Sequence, residues 1–424
     1  MNYIGRKFNI VRSVVMDNTQ SQFIELLSHS IRGKTIYRLS NNVNWDKILT
    51  ISQLHKVEGI IYSSLSKKDM ISQLDCEVLK KLQISVFHTG TKQLRNIYNL
   101  AKIFSRFDDE EIPVIVLKGL VVRNFYPHPE QRDMNDADIL VHKEDLEKVK
   151  CILLDLGYSQ LEDHVASHHT VFYHYTFPII ELHWHIVKRD GFSSDLDKFE
   201  EDVWSNSIKV NVGDSEVRSL CYEDLALHLC MHMASHLAAN GFGLRQLCDL
   251  VLLVENKGNE ISWISFLDKS KEYGFEKFNV IVFLLCNRLF HMKVPNELIN
   301  IKLDEEKYIN LLIDEILKGG VYGKKDVVNS FSNQIAFNYE CKDKNATLGA
   351  IKRYIRFMFP RVEYMSDKYN YAKRYRILIP IALVHHIIAG LFRKEYSFID
   401  KSKFVIKGAS ISAKKNKLLK WMEL

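Results

Sequence analysis

The stretch Arg132-Asp133-Met134-Asn135-Asp136-Ala137-Asp138-Ile139-Leu140-Val141 closes on three apolar residues and opens on polar ones. It reads as a short buried strand whose leading end carries two carboxylates. Residues i and i+2 of a strand share a face, so Asp136 and Asp138 stand side by side. Like charges at that spacing cost free energy unless a cation lies between them. Hard divalent cations prefer carboxylate oxygens, and Mg²⁺ takes one or two of them together with substrate phosphates. The pair points to metal-assisted chemistry on a phosphate, although taken alone it also fits a capped turn entering a strand.

Working outward, Ile112-Pro113-Val114-Ile115-Val116-Leu117 is an almost continuous apolar run that ends at Lys118-Gly119, a buried strand entering a glycine turn. Leu120 to Tyr126 fits a short helix stopped by Pro127-His128-Pro129. Lys143 to Leu156 places Leu146, Val149, Ile152, Leu153 and Leu156 at helical spacing, with Gly157 as the C-terminal stop. Thr170 to Tyr175 and Ile179 to Val187 alternate as antiparallel strands around Pro178. The result is an α/β module of about 80 residues, a plausible size for a small domain.

Helical periodicity flanks it. Phe23, Leu26, Leu27 and Ile31 form one stripe, followed by Trp45, Ile48, Leu49 and Ile51 and then Leu79, Leu82 and Ile84. It returns from Tyr222 to about Leu317, broken at Gly241-Phe242-Gly243. Asp326 to Met365 reads as helix with loops, and Lys401 to Leu424 as a basic, loosely held tail. The expected division is a helical domain at 1–110, an α/β core at 111–218, a helical domain at 219–320 and a helical region with the basic tail at 321–424.

With 424 residues, 46% hydrophobic and 26% charged, and only 7 Pro and 18 Gly, the composition excludes disordered and fibrous classes. A net charge of +6 suits an anionic ligand but is too small to make nucleic acid the main partner. The 7 cysteines are odd in number, scattered and without C-x-x-C spacing, so reduced thiols in a cytoplasmic protein are the expectation. The N-terminus has no apolar signal region. Ile377 to Phe392 is too short for a transmembrane span and fits a buried helix, with peripheral membrane contact as the rival reading.

Val114-Ile115-Val116-Leu117-Lys118-Gly119, Tyr126, Arg132, Asp136-Ala137-Asp138-Ile139-Leu140-Val141, Leu156-Gly157-Tyr158 and Glu181-Leu182-His183-Trp184 occur in the order seen in a bacterial family. Over roughly residues 20 to 300 the chain resembles the uncharacterised nucleotidyltransferases, a branch of the DNA polymerase β-like superfamily. The resemblance implies an α+β fold: a small mixed-sheet nucleotidyltransferase core with N- and C-terminal helical domains. It implies three metal-binding, catalytic carboxylates, matching Asp136, Asp138 and Glu181, that hold Mg²⁺ or Mn²⁺ and act on an NTP, with ATP expected. Two such ions about 3.5–4 Å apart activate an attacking hydroxyl and stabilise the leaving pyrophosphate. Lys118-Gly119 departs from the Gly-Ser or Gly-Gly turn of the wider superfamily. Gly119 lets the chain approach phosphate, Lys118 adds a charge, and Arg132 offers a fork to a phosphate oxygen or pairs with Asp133 or another acid.

Histidines crowd the same region. His164, His168, His169 and His174 precede the Glu181 strand, and by alternation His183 and His185 share the face of Glu181, where one can contact substrate or phosphate. His228, His232 and His236 recur every four residues, which fits helix packing or the lining of a cleft better than a zinc site. Asp249 fits a one-turn pair with Arg245, and Tyr126 fits packing. The resemblance implies transfer of an NMP group to a hydroxyl or phosphate of a small molecule, sugar, peptide or protein, in polysaccharide or peptide natural-product biosynthesis. The alternatives are a toxin-type protein AMP-transferase, a non-catalytic nucleotide-binding scaffold and a histidine-based zinc hydrolase.

Overall fold

The computed structural model describes residues 16–34, 43–65, 71–72, 74–161, 168–186, 197–239, 241–299, 306–321, 369–391 and 417–424. The expectations for the N-terminus before residue 16, His164, residues 326–365 and most of the basic tail lie outside these residues. The chain divides into two compact units: Met1–Ala234 with Phe242–Gly323 and Glu423, and Ser235–Gly241 with Lys324–Met422 and Leu424.

The first unit opens with helices α1 (Asn18–Ser30), α2 (Trp45–His55), α3 (Glu58–Leu65) and α4 (Cys76–Asp109). Asp17 caps α1 by accepting from the Gln20 N–H while Gln20 reaches back to the Asp17 N–H, a reciprocal capping box. In α4, Val78, Leu82, Leu100, Ile103, Phe104 and Phe107 are buried. Ile84, read from the sequence as part of that stripe, is 50% exposed. Two residues beyond Leu82 is about 200° around a helix, so both cannot face one core.

The sheet is built from β1 (Val114–Val116), β2 (Asp136–Val141), β3 (Ser159–Gln160), β4 (His169–Tyr173), β5 (Ile179–His183), β6 (Ile208–Val212) and β7 (Ser215–Ser219). Their order is β3-β4-β5-β2-β1-β7-β6. β2 runs parallel to β5 and antiparallel to β1, and β1 runs parallel to β7. The fold is therefore α+β around a mixed sheet. All three residues of β1 are buried, as expected for a strand covered on both faces. Between β1 and β2 lie α5 (Gly119–Val122) and two short 3₁₀ turns, and α6 (Leu146–Asp155) follows β2. α6 ends at Gly157, whose φ of +88° suits glycine.

The β6–β7 hairpin was not foreseen. It turns at Gly213-Asp214, with Gly213 at φ +61° in the first turn position, where a two-residue hairpin favours glycine. Through β7 it extends the sheet beside β1. α7 (Asp197–Ser205) precedes it, and α8 (Tyr222–Ala239), α9 (Leu244–Lys257), α10 (Trp263–Glu272), α11 (Glu276–Phe290), α12 (Asn296–Ile299) and α13 (Glu306–Gly319) follow. α9 and α11 bury Leu247, Leu250, Val251, Phe278, Phe283 and Phe290. The six cysteines among the described residues are free thiols.

In the second unit, Tyr369, Ala372 and Ala382 form a small buried cluster at α14 (Asn370–Arg374) and α15 (Ile379–Leu391). α15 differs from the buried helix expected there: Ile381 and Val384 are more than half exposed. Pro380 is tolerated because it lies in the first turn. No helix among the described residues is long and apolar enough to cross a membrane.

Candidate active site

Parallel pairing of β2 with β5 sets the register Asp138↔Glu181, with Asp136↔Ile179 and Leu140↔His183 beside it. Alternation along each strand then puts Asp136 and Asp138 on one face of β2, and Glu181 and His183 on one face of β5. The opposite face, with Ala137, Ile139, Ile180 and Leu182, is fully buried, which holds the register in place. Asp138, Glu181 and His183 bring one ligand atom each within 4.8 Å of one another. The structure thus gathers Asp136, Asp138, Glu181 and His183 on neighbouring strands.

Lys118 reaches the same place from the end of β1. Its Nζ donates to Asp138 Oδ1 at 2.8 Å, and both side chains are largely buried. The backbone of Lys118 has φ +45°, a left-handed conformation that costs a lysine about 1–3 kcal/mol. The Lys118 carbonyl accepts from the N–H groups of Val121 and Val122, and Leu117 N–H bonds to the Asp138 carbonyl, so the bend is held from both sides. The ammonium is paired with Asp138.

The charges at this site are strongly coupled. Burial opposes the Lys118 ammonium, but Asp138, Glu181 and Asp136 outweigh it and raise its pKa. Burial likewise opposes ionised Asp138, yet Lys118 and the hydrogen bond from His183 hold that carboxyl well below its usual range. Asp136 goes the other way: burial, then the charges of Asp138 and Glu181, push it up to about 6. His183 Nε2 donates to Asp138 Oδ1 at 3.2 Å and lies 3.6 Å from Glu181 Oε2. Burial disfavours its charge, but the hydrogen bond to Asp138 and the nearby Glu181 carboxylate raise its pKa on balance.

Two residues expected at the phosphate do other work. Arg132 is buried and forks onto Asp249, with Nη2 at 2.6 Å from Oδ2 and Nε at 3.1 Å from Oδ1. Tyr126 O–H also donates to Asp249 Oδ1, at 2.8 Å. Asp249 therefore pairs with Arg132 and Tyr126 rather than Arg245, whose Nη1 donates to the Asp133 carbonyl. Gly119 is buried against this network. A Cβ there would lie 2.6 Å from Arg132 Nη1 and 3.0 Å from the Met134 sulfur, so glycine makes room for the guanidinium.

The histidines divide by position. β5 ends at His183, so the alternation that would carry His185 onto the Glu181 face stops, and His185 Nδ1 pairs with Glu200 Oε2 at 2.8 Å. His228 on α8 is 1% exposed, and neither of its ring nitrogens has a hydrogen-bond partner among the described residues. Burial, and then the charge of Lys118, hold it well below the usual imidazole range, so it is neutral. His232, one turn on, lowers the Asp138 pKa through its charge. The first part of α8 thus acts electrostatically on the carboxylates. Sequence spacing singled out these histidines but did not show which strand they face.

The family profile described as an uncharacterised nucleotidyltransferase matches residues 41–291, more than half of the chain. The chain belongs to that family. Among solved structures, it is similar to the solution structure of the antibiotic-resistance factor ANT(2'')-Ia, at 12% identity and a TM-score of 0.29, over 40% of this chain and 87% of that one. At that score the likeness is too slight to bear on fold or substrate. No curated protein matches the sequence.

Proposed function

We propose that the protein transfers an NMP group from an NTP, with ATP the expected donor, to an acceptor hydroxyl or phosphate, and that Asp136, Asp138 and Glu181 hold the divalent cation the reaction needs. The observation that carries this reading is the in-register pair Asp138↔Glu181, with Asp136 two residues earlier on the same face. Three carboxylates around one face are an excess of buried negative charge that Lys118 alone does not cancel. Burial, and then the charges of Asp138 and Glu181, raise the Asp136 pKa, which a bound cation would offset. All the acidic donors are hard oxygens, so the site fits Mg²⁺ or Mn²⁺. When bound, such an ion neutralises charge on the phosphates and activates an oxygen nucleophile.

The chain's own residues have separate tasks. Lys118 keeps Asp138 ionised in the absence of the cation, and its ammonium lies close enough to reach a phosphate once it leaves Asp138. His183 donates Nε2–H to Asp138 and so orients that carboxylate. The Arg132–Asp249–Tyr126 network fixes the turn at Gly119 and with it the backbone that aims Lys118. Acceptors in polysaccharide or peptide natural-product biosynthesis fit the hydroxyl-or-phosphate chemistry of this reading, in a cytoplasmic setting.

The test is a donor-label experiment with purified protein, Mg²⁺ or Mn²⁺ and cell extract. Nucleotidyl transfer moves label from the α-phosphate of the NTP to an acceptor and releases γ-label as pyrophosphate. If label moves instead from the γ-phosphate to an acceptor, the reaction is a different phosphoryl transfer and the proposal fails.

A further inference from the structure

Beside the carboxylates lies a cluster with different donor chemistry. His169 opens β4 and is paired across the sheet with His183 on β5, and His168 immediately precedes it. Ring centroids are 4.3 Å apart for His168 and His169, 5.0 Å for His169 and His183, and 5.9 Å for His168 and His183. One ring nitrogen from each of the three lies within 4.8 Å of the other two. His168 Nε2 and His169 Nδ1 approach to 2.8 Å.

His183 supplies a second, independent observation. In the neutral imidazole its Nε2–H is committed to Asp138 Oδ1, which leaves the lone pair on Nδ1. That nitrogen is buried and has no hydrogen-bond partner among the described residues, on a residue only 4% exposed. A buried acceptor left unmade costs about 1–3 kcal/mol, so a ligand there is worth that much before any other contact. Metal-bound histidines characteristically donate their other ring N–H to a carboxylate, which is the arrangement of His183 and Asp138.

We propose that His168, His169 and His183 form a binding site for a late divalent transition cation of the Zn²⁺ class, with His183 ligating through Nδ1. Imidazole nitrogens select Zn²⁺ and its neighbours, whereas Mg²⁺ requires oxygen donors. The histidine site therefore takes a different ion from the carboxylates, and the single imidazole of His183 joins the two. Zn–N bonds of about 2.0–2.1 Å place tetrahedral ligands roughly 3.3 Å apart. Closing nitrogens that lie within 4.8 Å of one another needs movement of about 1.5 Å at most, within the range of side-chain rotation. Three histidines leave the fourth position open to water or to a substrate group. The site shares only His183 with the carboxylate centre, so it stands whether or not the nucleotidyl transfer reading holds.

Co²⁺ binding to the full-length, metal-stripped protein in excess Mg²⁺ is the test, read by visible absorption and repeated with Zn²⁺ against a chromophoric chelator. One equivalent is expected, with the intense bands of four- or five-coordinate cobalt. His168→Ala and His169→Gln should each weaken binding about tenfold or more, while Glu181→Gln leaves it within about threefold. Thermal melts of each variant establish that it is folded. The proposal is overturned if the wild type takes up no stoichiometric Co²⁺, if folded histidine variants bind as the wild type does, or if Glu181→Gln abolishes binding, which would place the ion on the carboxylates. None of these outcomes depends on NTP turnover.

Discussion

Replacing Asp136 with asparagine is expected to stabilise the metal-free protein while removing its activity. The carboxyl is pushed from its ordinary value of 3.8 up to about 6 by burial and by Asp138 and Glu181. Two units at about 1.4 kcal/mol each correspond to about 3 kcal/mol of electrostatic destabilisation at neutral pH. Because Asp136 titrates together with Asp138, the recoverable part is about 1–3 kcal/mol. The sign depends on pH. A carboxyl whose folded pKa is raised binds its proton more tightly in the fold, so its destabilisation is absent below about pH 4, grows between about pH 4 and 6, and is complete above that. Urea unfolding followed by tryptophan fluorescence, without divalent metal, should show Asp136→Asn more stable than the wild type at pH 7.5 and equal to it near pH 4. A variant less stable at pH 7.5, or a gain that does not change with pH, would refute the charge-crowding argument.

Four further outcomes are expected. Mn²⁺ affinity of the wild type, measured by paramagnetic resonance, should be level above about pH 6 and fall below it by up to about tenfold per unit as Asp136 takes up its proton; constant affinity down to pH 5 would exclude Asp136 as a ligand. Lys118→Met removes the ammonium that competes for Asp138 and should tighten Mn²⁺ binding about tenfold or more in the same assay; weaker binding would mean that Lys118 does not compete. Asp249→Ala leaves the Arg132 guanidinium buried and unpaired and should cost about 3–5 kcal/mol in denaturant unfolding; a loss under 1 kcal/mol would contradict the structural role of that pair. Gly119→Ala forces Arg132 aside and should cost about 1–3 kcal/mol by the same measurement, even though alanine favours helix.

The features legible in the sequence were those encoded by neighbours in the chain. The apolar run ending at Leu117 and the stretch Asp136–Val141 announce strands because both faces are buried, and the i, i+2 spacing puts Asp136 and Asp138 on one face. β6 and β7 were missed because they are short and half-exposed on alternate residues, although Gly213-Asp214 between Val212 and Ser215 was a hairpin signal. The partners of Arg132 and Lys118 were beyond local reading. Arg132 meets Asp249 across 117 positions and Lys118 meets Asp138 across 20, and no periodicity encodes such contacts. His185 shows the limit of alternation: a rule of period two holds only while the strand lasts, and β5 ends at His183. The approach of His168 and His169 to His183 follows from the antiparallel register of β4 with β5, which spacing alone does not reveal.

On the proposed reading, Asp136 and Asp138 on β2 and Glu181 on β5 carry a metal-dependent transfer from an NTP. Its most direct measurement is α-phosphate label transfer by the wild type, Asp138→Ala and Glu181→Gln under identical Mg²⁺ or Mn²⁺, with folding of each variant verified by circular dichroism. The account expects transfer by the wild type that stops on chelation, and a loss of about 10²-fold or more in each folded variant. Undiminished transfer by either variant, or transfer that persists without divalent metal, would contradict it.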